Sequence, residues 1–315
     1  MTGSRTRNAL NPHAPEVDLA ARLLGPFHVT GVFWYRFPQW AFTNLPQWTD
    51  PIIVTLFMVF FFVTLGRIRS AIASNLEAVL GPASRLTRWR RAFRTMLAFA
   101  LGVPERYRFF KWPQRFHASV EGEEHWRAAM ASGRGVVLVT AHVGSWEMAP
   151  QFGASAEKRR IHIVREKEID PRAQRFMEEL IARGGQNCVT HFAADNPFLA
   201  IELAEALRSG EIVAFQADRP RAGGRSMVAT MFGRPMPLPV GPAVLARTVD
   251  VPLVPVFNFR EGRYRTHIVI RPPIHVGRSD DRMADVATAV AQVAKEIEWA
   301  IRREPHQWFC FRKLW

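Results

Sequence analysis

Apolar positions divide the chain into two parts. Up to about residue 115 they form long runs and helical stripes; beyond it they form short β-branched runs separated by helix-length segments. The strongest run is IIVTLFMVFFFVTL at 52–65, with no charge inside it. As a helix it extends about 21 Å, short of the roughly 30 Å hydrocarbon core of a bilayer. Asp50 and Pro51 close it upstream, and Gly66, Arg67 and Arg69 close it downstream. This pattern predicts a helix that dips into one leaflet, with a short tilted span or a buried core helix as the alternatives. Trp34, Tyr35, Trp40 and Trp48 precede the run. Amphipathic rings favour the headgroup level, which speaks for the membrane.

A second helix is predicted over Arg85–Leu101. Leu86, Trp89, Phe93, Leu97 and Leu101 recur at spacings of three and four, and Arg85, Arg88, Arg91 and Arg94 form a separate basic row. Such a basic amphipathic helix suits an anionic membrane surface; a solvated arginine face on a core helix is the plainer alternative. Arg106, Arg108, Lys111, Trp112 and Arg115 prolong the positive stretch.

From residue 116 strands and helices alternate. Strands are expected at Val136–Thr140, Ile161–Arg165, Cys188–Phe192, Ile212–Gln216, Pro252–Phe259 and Tyr264–Arg271, and helices at about 145–156, 172–183, 197–208, 241–249 and 281–303. Val286, Val290, Val293, Ile297 and Ile301 mark the buried stripe of the last one. The alternation predicts an α/β fold: a single domain at 116–315 with a mostly parallel central sheet flanked by helices. It follows an N-terminal helical membrane-associating region (26–115) and a polar tail (1–25) in which no signal peptide is visible.

Composition narrows the partners. The 315 residues carry 42 Lys+Arg against 28 Asp+Glu, a net charge of +14. An anionic partner is expected. Nucleic acid is excluded: there is no zinc-finger spacing and no aromatic RNA-binding signature, and the apolar run has no place in such a protein. Cys188 and Cys310 are too few for a disulfide framework or a thiolate zinc site. No metal or cofactor is expected, because Gly133-Arg134-Gly135 precedes its strand and no third glycine completes a dinucleotide loop. A G-x-S-x-G nucleophile elbow is absent as well. Nothing demands a dimer, so a monomer is expected.

Sites in parallel sheets lie beyond the carboxyl ends of strands. The first such place reads VVLVTAHVGSWEMAP. His142 follows the strand and Glu147 comes five residues later, with Gly144 to free the turn and Ser145 as a candidate N-cap of the predicted helix. A neutral imidazole can take a proton from an attacking hydroxyl, and a carboxylate on its other nitrogen fixes the tautomer. The spacing alone is not specific: His13/Asp18 and His275/Asp280 share it, and a structural histidine at a strand end is the alternative.

VTAHVGSWE resembles the His-x4-Asp/Glu block of the lysophospholipid acyltransferase superfamily. Within it the chain more closely resembles the branch of bacterial lipid A biosynthesis (lauroyl/myristoyl) and phosphatidylinositol mannoside acyltransferases. Further blocks follow in order: RIRSAIASNL, IHIVREKEIDP, FQADRP, MFGRPMPLPVGPAVLARTVDVPLVPVF and EPHQWFCFRKLW. The resemblance runs from about residue 30 to the end. It implies an acyltransferase fold on the cytoplasmic face of the cell inner membrane. The donor would be an acyl-carrier-protein (ACP) or acyl-CoA thioester, and the acceptor a glycolipid or phospholipid hydroxyl. It assigns His142 as the base and Glu147 as its orienting acid, with Arg165, Asp218 and Arg219 as substrate-binding residues. A local ion pair at Asp218-Arg219 and a strand-end salt bridge at Arg165 are the structural alternatives. Lipid A enzymes often carry two aspartates flanking one residue where this chain has Asp218-Arg219-Pro220, and a basic residue there is closer to the mannoside branch. The competing non-enzymatic reading is a lipid-binding scaffold on the same fold.

Overall fold

The computed structural model describes residues 31–148, 159–183, 187–192, 196–220 and 223–315. The predicted polar tail lies outside them. Four helices open the described chain: α1 (Phe33–Asn44), α2 (Asp50–Thr64), α3 (Gly66–Leu80) and α4 (Arg85–Lys111). Pro51 stands in the first turn of α2, where a missing N–H costs nothing. Ser84 caps α4 by accepting from the Thr87 N–H at 3.4 Å. Helix α4 continues past the predicted end at Leu101 and carries Pro104 inside it.

An ion triad, buried at Asp50 and Arg108 and half exposed at Arg263, fixes the start of α2. Asp50 accepts from Arg108 at 2.6 Å and from Arg263 at 2.9 Å, and Arg108 is itself almost fully buried. Beyond this anchor α2 does not behave as a core helix. Val54 and Met58 are buried, whereas Leu56 and Val63 are 66% and 67% exposed, with Ile52, Val59 and Phe60 about half exposed. Leu86 and Trp89 of α4 are exposed as well, and Phe62 joins the two helices by an edge contact with Trp89. The inward face of α4 near its start is Ala92, Thr95 and Met96, offset from the predicted apolar row. Half of the arginine row is used internally: Arg88 pairs with Glu77 at 3.3 Å, and Arg91 donates to the Gly81 carbonyl at 2.8 Å.

The remaining chain forms β1 (His117–Glu121), α5 (Glu123–Met130), β2 (Val136–Thr140), β3 (Ile161–Arg165), α6 (Pro171–Arg183), β4 (Cys188–Phe192), α7 (Leu199–Arg208), β5 (Ile212–Gln216), β6 (Ser226–Met231), β7 (Arg234–Pro239), α8 (Gly241–Val249), β8 (Leu253–Gly262), β9 (Arg265–Ile270) and α9 (Arg282–Arg303). Seven strands make one sheet in the order β1-β9-β8-β2-β5-β3-β4, and β6 and β7 form a separate hairpin. Every pairing in the large sheet is parallel except β8 with β9. The fold is therefore α/β with a mostly parallel sheet and flanking helices.

Alternation along the strands serves both faces. Val137 and Val139 join the core under α7, α8 and α9, while Val136 packs on the opposite face with Ile161, Ile212 and Val254. Helix α6 packs with α1, α2 and α4 through Phe176, Met177 and Leu180 against Phe42, Val54 and Tyr107.

The first four predicted strands have the predicted ends. Three elements carried no readable signal. Strand β1 (HASVE) is exposed along its whole length and lacks an apolar rhythm. The β6–β7 hairpin contains Pro235, Pro237 and Pro239 at alternate positions, a pattern that argues against a strand unless one edge is unpaired, as in this two-stranded ribbon. Helix α5 is only eight residues long. One expectation is corrected at its start: Ser145–Met148 is a turn, closed by the Met148 N–H on the Ser145 carbonyl at 3.0 Å, so Ser145 is not an N-cap there. The rest of the predicted 145–156 helix lies outside the described residues.

Candidate active site

Register brings the histidine to its partner. Thr140, the last residue of β2, pairs with Gln216, the last of β5. His142 and Asp218 each lie two residues further on, at the same level of adjacent strands about 4.8 Å apart. The His142 Nδ1 meets Asp218 Oδ1 at 2.7 Å. The second carboxylate oxygen of Asp218 accepts from the Trp308 indole N–H at 3.0 Å. Asp218 is fully buried. Burial alone would raise its pKa, but the facing His142, with Arg219 and the Trp308 hydrogen bond, holds it well below the usual carboxylate range. An ionised Asp218 requires the proton on Nδ1, which leaves Nε2 as the basic nitrogen of a neutral ring.

The loop carrying the histidine is held by its backbone. Gly144 has φ +57°, and a Cβ there would collide with the Asn258 carbonyl. Its N–H donates to the Gln307 carbonyl at 2.9 Å, and the Ser145 N–H donates to the Asn258 carbonyl at 3.0 Å. The buried Asn258 amide returns a bond to the Ser145 carbonyl at 2.9 Å. On the other side the Phe309 N–H donates to the His142 carbonyl at 2.8 Å. The imidazole lies edge-on to the Trp146 ring at 5.2 Å and retains 14% exposure.

The structure does not place Glu147 on the His142 ring, where the resemblance put it. Glu147 pairs with Arg106 of α4, and the carboxylate on His142 Nδ1 is Asp218. Burial works against the charge on Arg106, but Glu147 and the neighbouring Tyr107, Tyr35 and Glu168 raise its pKa overall. Burial, reinforced by Glu147 and opposed by Arg106, pushes the Tyr107 hydroxyl up to about 12.

Arg165 ends β3, which is separated from β2 by β5. Its guanidinium lies 3.8 Å from Glu168, which also accepts from the Tyr35 hydroxyl at 2.8 Å. Arg219 donates to the Phe309 carbonyl at 3.4 Å and flanks Asp218. The five predicted residues therefore form two groups at one end of the sheet. His142, Asp218 and Arg219 gather at the C-terminal segment, while Glu147 and Arg165 sit on the side of Arg106, Glu168 and Tyr35. Trp308, Asn258 and Gln307 were not singled out from sequence, and Arg106 enters there only as part of the basic stretch. For Trp308 and Gln307 the signal was present in the block EPHQWFCFRKLW, but nothing in it pointed to a partner.

The family described as bacterial lipid A biosynthesis acyltransferase matches residues 13–315. Phosphatidylinositol mannoside acyltransferase of Mycobacterium tuberculosis is 29% identical over 206 residues, 62% of this chain and 59% of that protein. The enzyme of that name from Mycolicibacterium smegmatis is 26% identical over 200 residues, 61% of this chain and 60% of that protein. The matches thus span about three fifths of the relatives' length. Among solved structures, the 1-acyl-sn-glycerophosphate (LPA) acyltransferase PlsC from Thermotoga maritima aligns over 78% of this chain and 95% of its own, at 16% identity and a TM-score of 0.34. With the family match covering nearly its whole length, the chain belongs to the bacterial lipid A biosynthesis acyltransferase family.

Proposed function

We propose that the protein transfers a fatty acyl chain from an ACP or coenzyme A thioester to a hydroxyl of a glycolipid or phospholipid acceptor. The hydroxyl oxygen attacks the thioester carbonyl as His142 Nε2 takes its proton. The new C–O bond forms, the C–S bond breaks, and the proton on His142 passes to the departing thiolate. Asp218 orients the ring and stabilises the imidazolium. The His142–Asp218 contact at 2.7 Å, sheltered yet with the ring still partly open, is the observation that carries this reading. Arg165 and Arg219 are the proposed contacts for anionic groups of donor and acceptor, and Arg106, paired with Glu147, adds a third guanidinium on the Arg165 side. The mannoside acyltransferase relatives and the basic Arg219 favour a phosphoinositide-type glycolipid over lipid A as acceptor.

The site would work at the cytoplasmic face of the inner membrane, where both acyl chain and acceptor dissolve. Trp40, Trp48, Leu56, Phe60, Val63 and Leu86 present an apolar surface to the outside. Residues 47–64 form one helical segment apolar enough to enter a bilayer, with only 17% of it buried in the protein. The 15-residue α2 reaches about 22 Å and is tied at Asp50, which favours dipping over spanning.

The test is transfer of labelled acyl chain by the full chain in membranes. His142→Ala should lower turnover by about 10²–10⁴ while thioester binding persists. Turnover unchanged in this variant would remove the mechanism and leave a lipid-binding scaffold.

A further inference from the structure

Two sequence blocks have no role in the reaction proposed above: RIRSAIASNL in α3, and the C-terminal EPHQWFCFRKLW. The fold brings them together. Asn75 of α3 is buried at 1% exposure, and its side chain's hydrogen-bond partners are far away in sequence. Its amide nitrogen donates to the Arg312 carbonyl at 2.8 Å and to the Cys310 carbonyl at 3.3 Å. Its amide oxygen accepts from the Leu314 N–H at 3.0 Å. The preceding Ser74 hydroxyl donates to the Trp315 carbonyl at 3.1 Å. One buried side chain therefore satisfies three backbone groups of a segment with no ladder of its own there, the kind of accounting irregular backbone demands where it packs against the protein.

The same segment runs directly behind the reacting histidine. Gln307 and Phe309 bond the backbone of Gly144 and His142, Arg219 donates to Phe309, and Trp308 holds the outer oxygen of Asp218. Trp308 is 2% exposed and packs at 6.4 Å from both Phe232 and Trp315. Both members of the acid–base pair thus hang on residues 307–309, and residues 310–315 hang on α3.

We infer that the C-terminal segment is a strap that sets the geometry of the His142–Asp218 pair, with Trp308 and Asn75 as its positioning residues. Trp308 acts by fixing the carboxylate rotamer. A carboxylate held at one oxygen by an indole can present only the other to His142 Nδ1. Asn75 acts by fixing the strap to a helix packed against α2 and α4, so that the helical region and the site share one frame. This rests on the acyl-transfer reading for its catalytic consequence but not for its geometry.

Two variants of the full chain test it. In Asn75→Ala, backbone hydrogen exchange should rise by about tenfold or more at Leu314 and also at Phe309 and Gly144, since the strap loosens as a unit. In Trp308→Phe the ring packing survives and only the N–H is lost. Its kcat should fall by about 10- to 100-fold with KM within about twofold, and the acid limb of kcat/KM should move to higher pH because Asp218 keeps more of its charge for the ring. Exchange that rises only at 310–315, or a Trp308→Phe enzyme with unchanged kcat and pH profile, would overturn the inference. Should Asn75→Ala not fold, Trp308→Phe alone decides. The exchange measurement uses no substrate, so a wild-type protein without transfer activity would sink the proposed function and leave the strap standing.

Discussion

Asp218 shows how far one residue was readable in sequence. FQADRP marked it as a site residue, yet its partner was not evident, because the family resemblance assigned Glu147 to His142. What decides is strand order. β2 and β5 are neighbours although β3 and β4 lie between them in sequence, and the matching register of Thr140 and Gln216 puts Asp218 on the imidazole. Glu147 is left to Arg106, a residue on a helix with no sequence tie to the motif. Asp218 also makes stability depend on pH. Its native pKa is depressed, so its contribution is complete above the ordinary aspartate range near about 4 and is lost as pH falls toward the native value. Asp218→Asn should therefore flatten the acid side of the stability curve, as measured by thermal unfolding from about pH 5 down to about pH 2. Gly144 gives a second residue-scale prediction. Gly144→Ala places a Cβ against the Asn258 carbonyl at a positive φ. It should destabilise by more than about 1 kcal/mol in denaturant titration and reduce turnover with it.

At the scale of elements, strands buried on both faces were legible and exposed or proline-bearing ones were not. β2 and β5 read as continuous apolar runs because helices cover both sides of the sheet. β1 and the β6–β7 hairpin obey no such rule, so their ends could not be seen. The helical region was legible in period but not in orientation. Its arginine row reads as facing an anionic membrane surface, whereas Arg88 turns back to Glu77 of α3 and Arg91 to the Gly81 carbonyl at its end. The start of α2 depends on a charge cluster that no periodicity shows. Asp50→Asn leaves Arg108 charged and buried without its carboxylate. Removing one partner of such a pair costs about 3–5 kcal/mol, so the variant should unfold at distinctly lower denaturant, and a variant as stable as wild type would show the triad to be incidental.

For the whole molecule, the apolar outer surface of α2 and the start of α4 and the net charge of +14 belong to one account. In the membrane contact proposed above, the first supplies depth in the bilayer and the second attraction to its anionic surface. They separate by salt. Leu56→Ser with Phe60→Ser and Val63→Ser should weaken sedimentation with anionic liposomes at every ionic strength. Gln at Arg85, Arg90 and Arg94, all exposed, should weaken it chiefly at low salt. Equal binding by all forms would contradict a membrane contact through this surface.

The central claim is that His142 and Asp218 act as one unit on the acceptor hydroxyl. The direct measurement is the turnover of His142→Ala, Asp218→Asn and the double variant in the same acyl-transfer assay. Groups that work as a unit are strongly non-additive, so the double variant should be no slower than His142→Ala. Losses that multiply, or an Asp218→Asn enzyme with wild-type turnover, would contradict it.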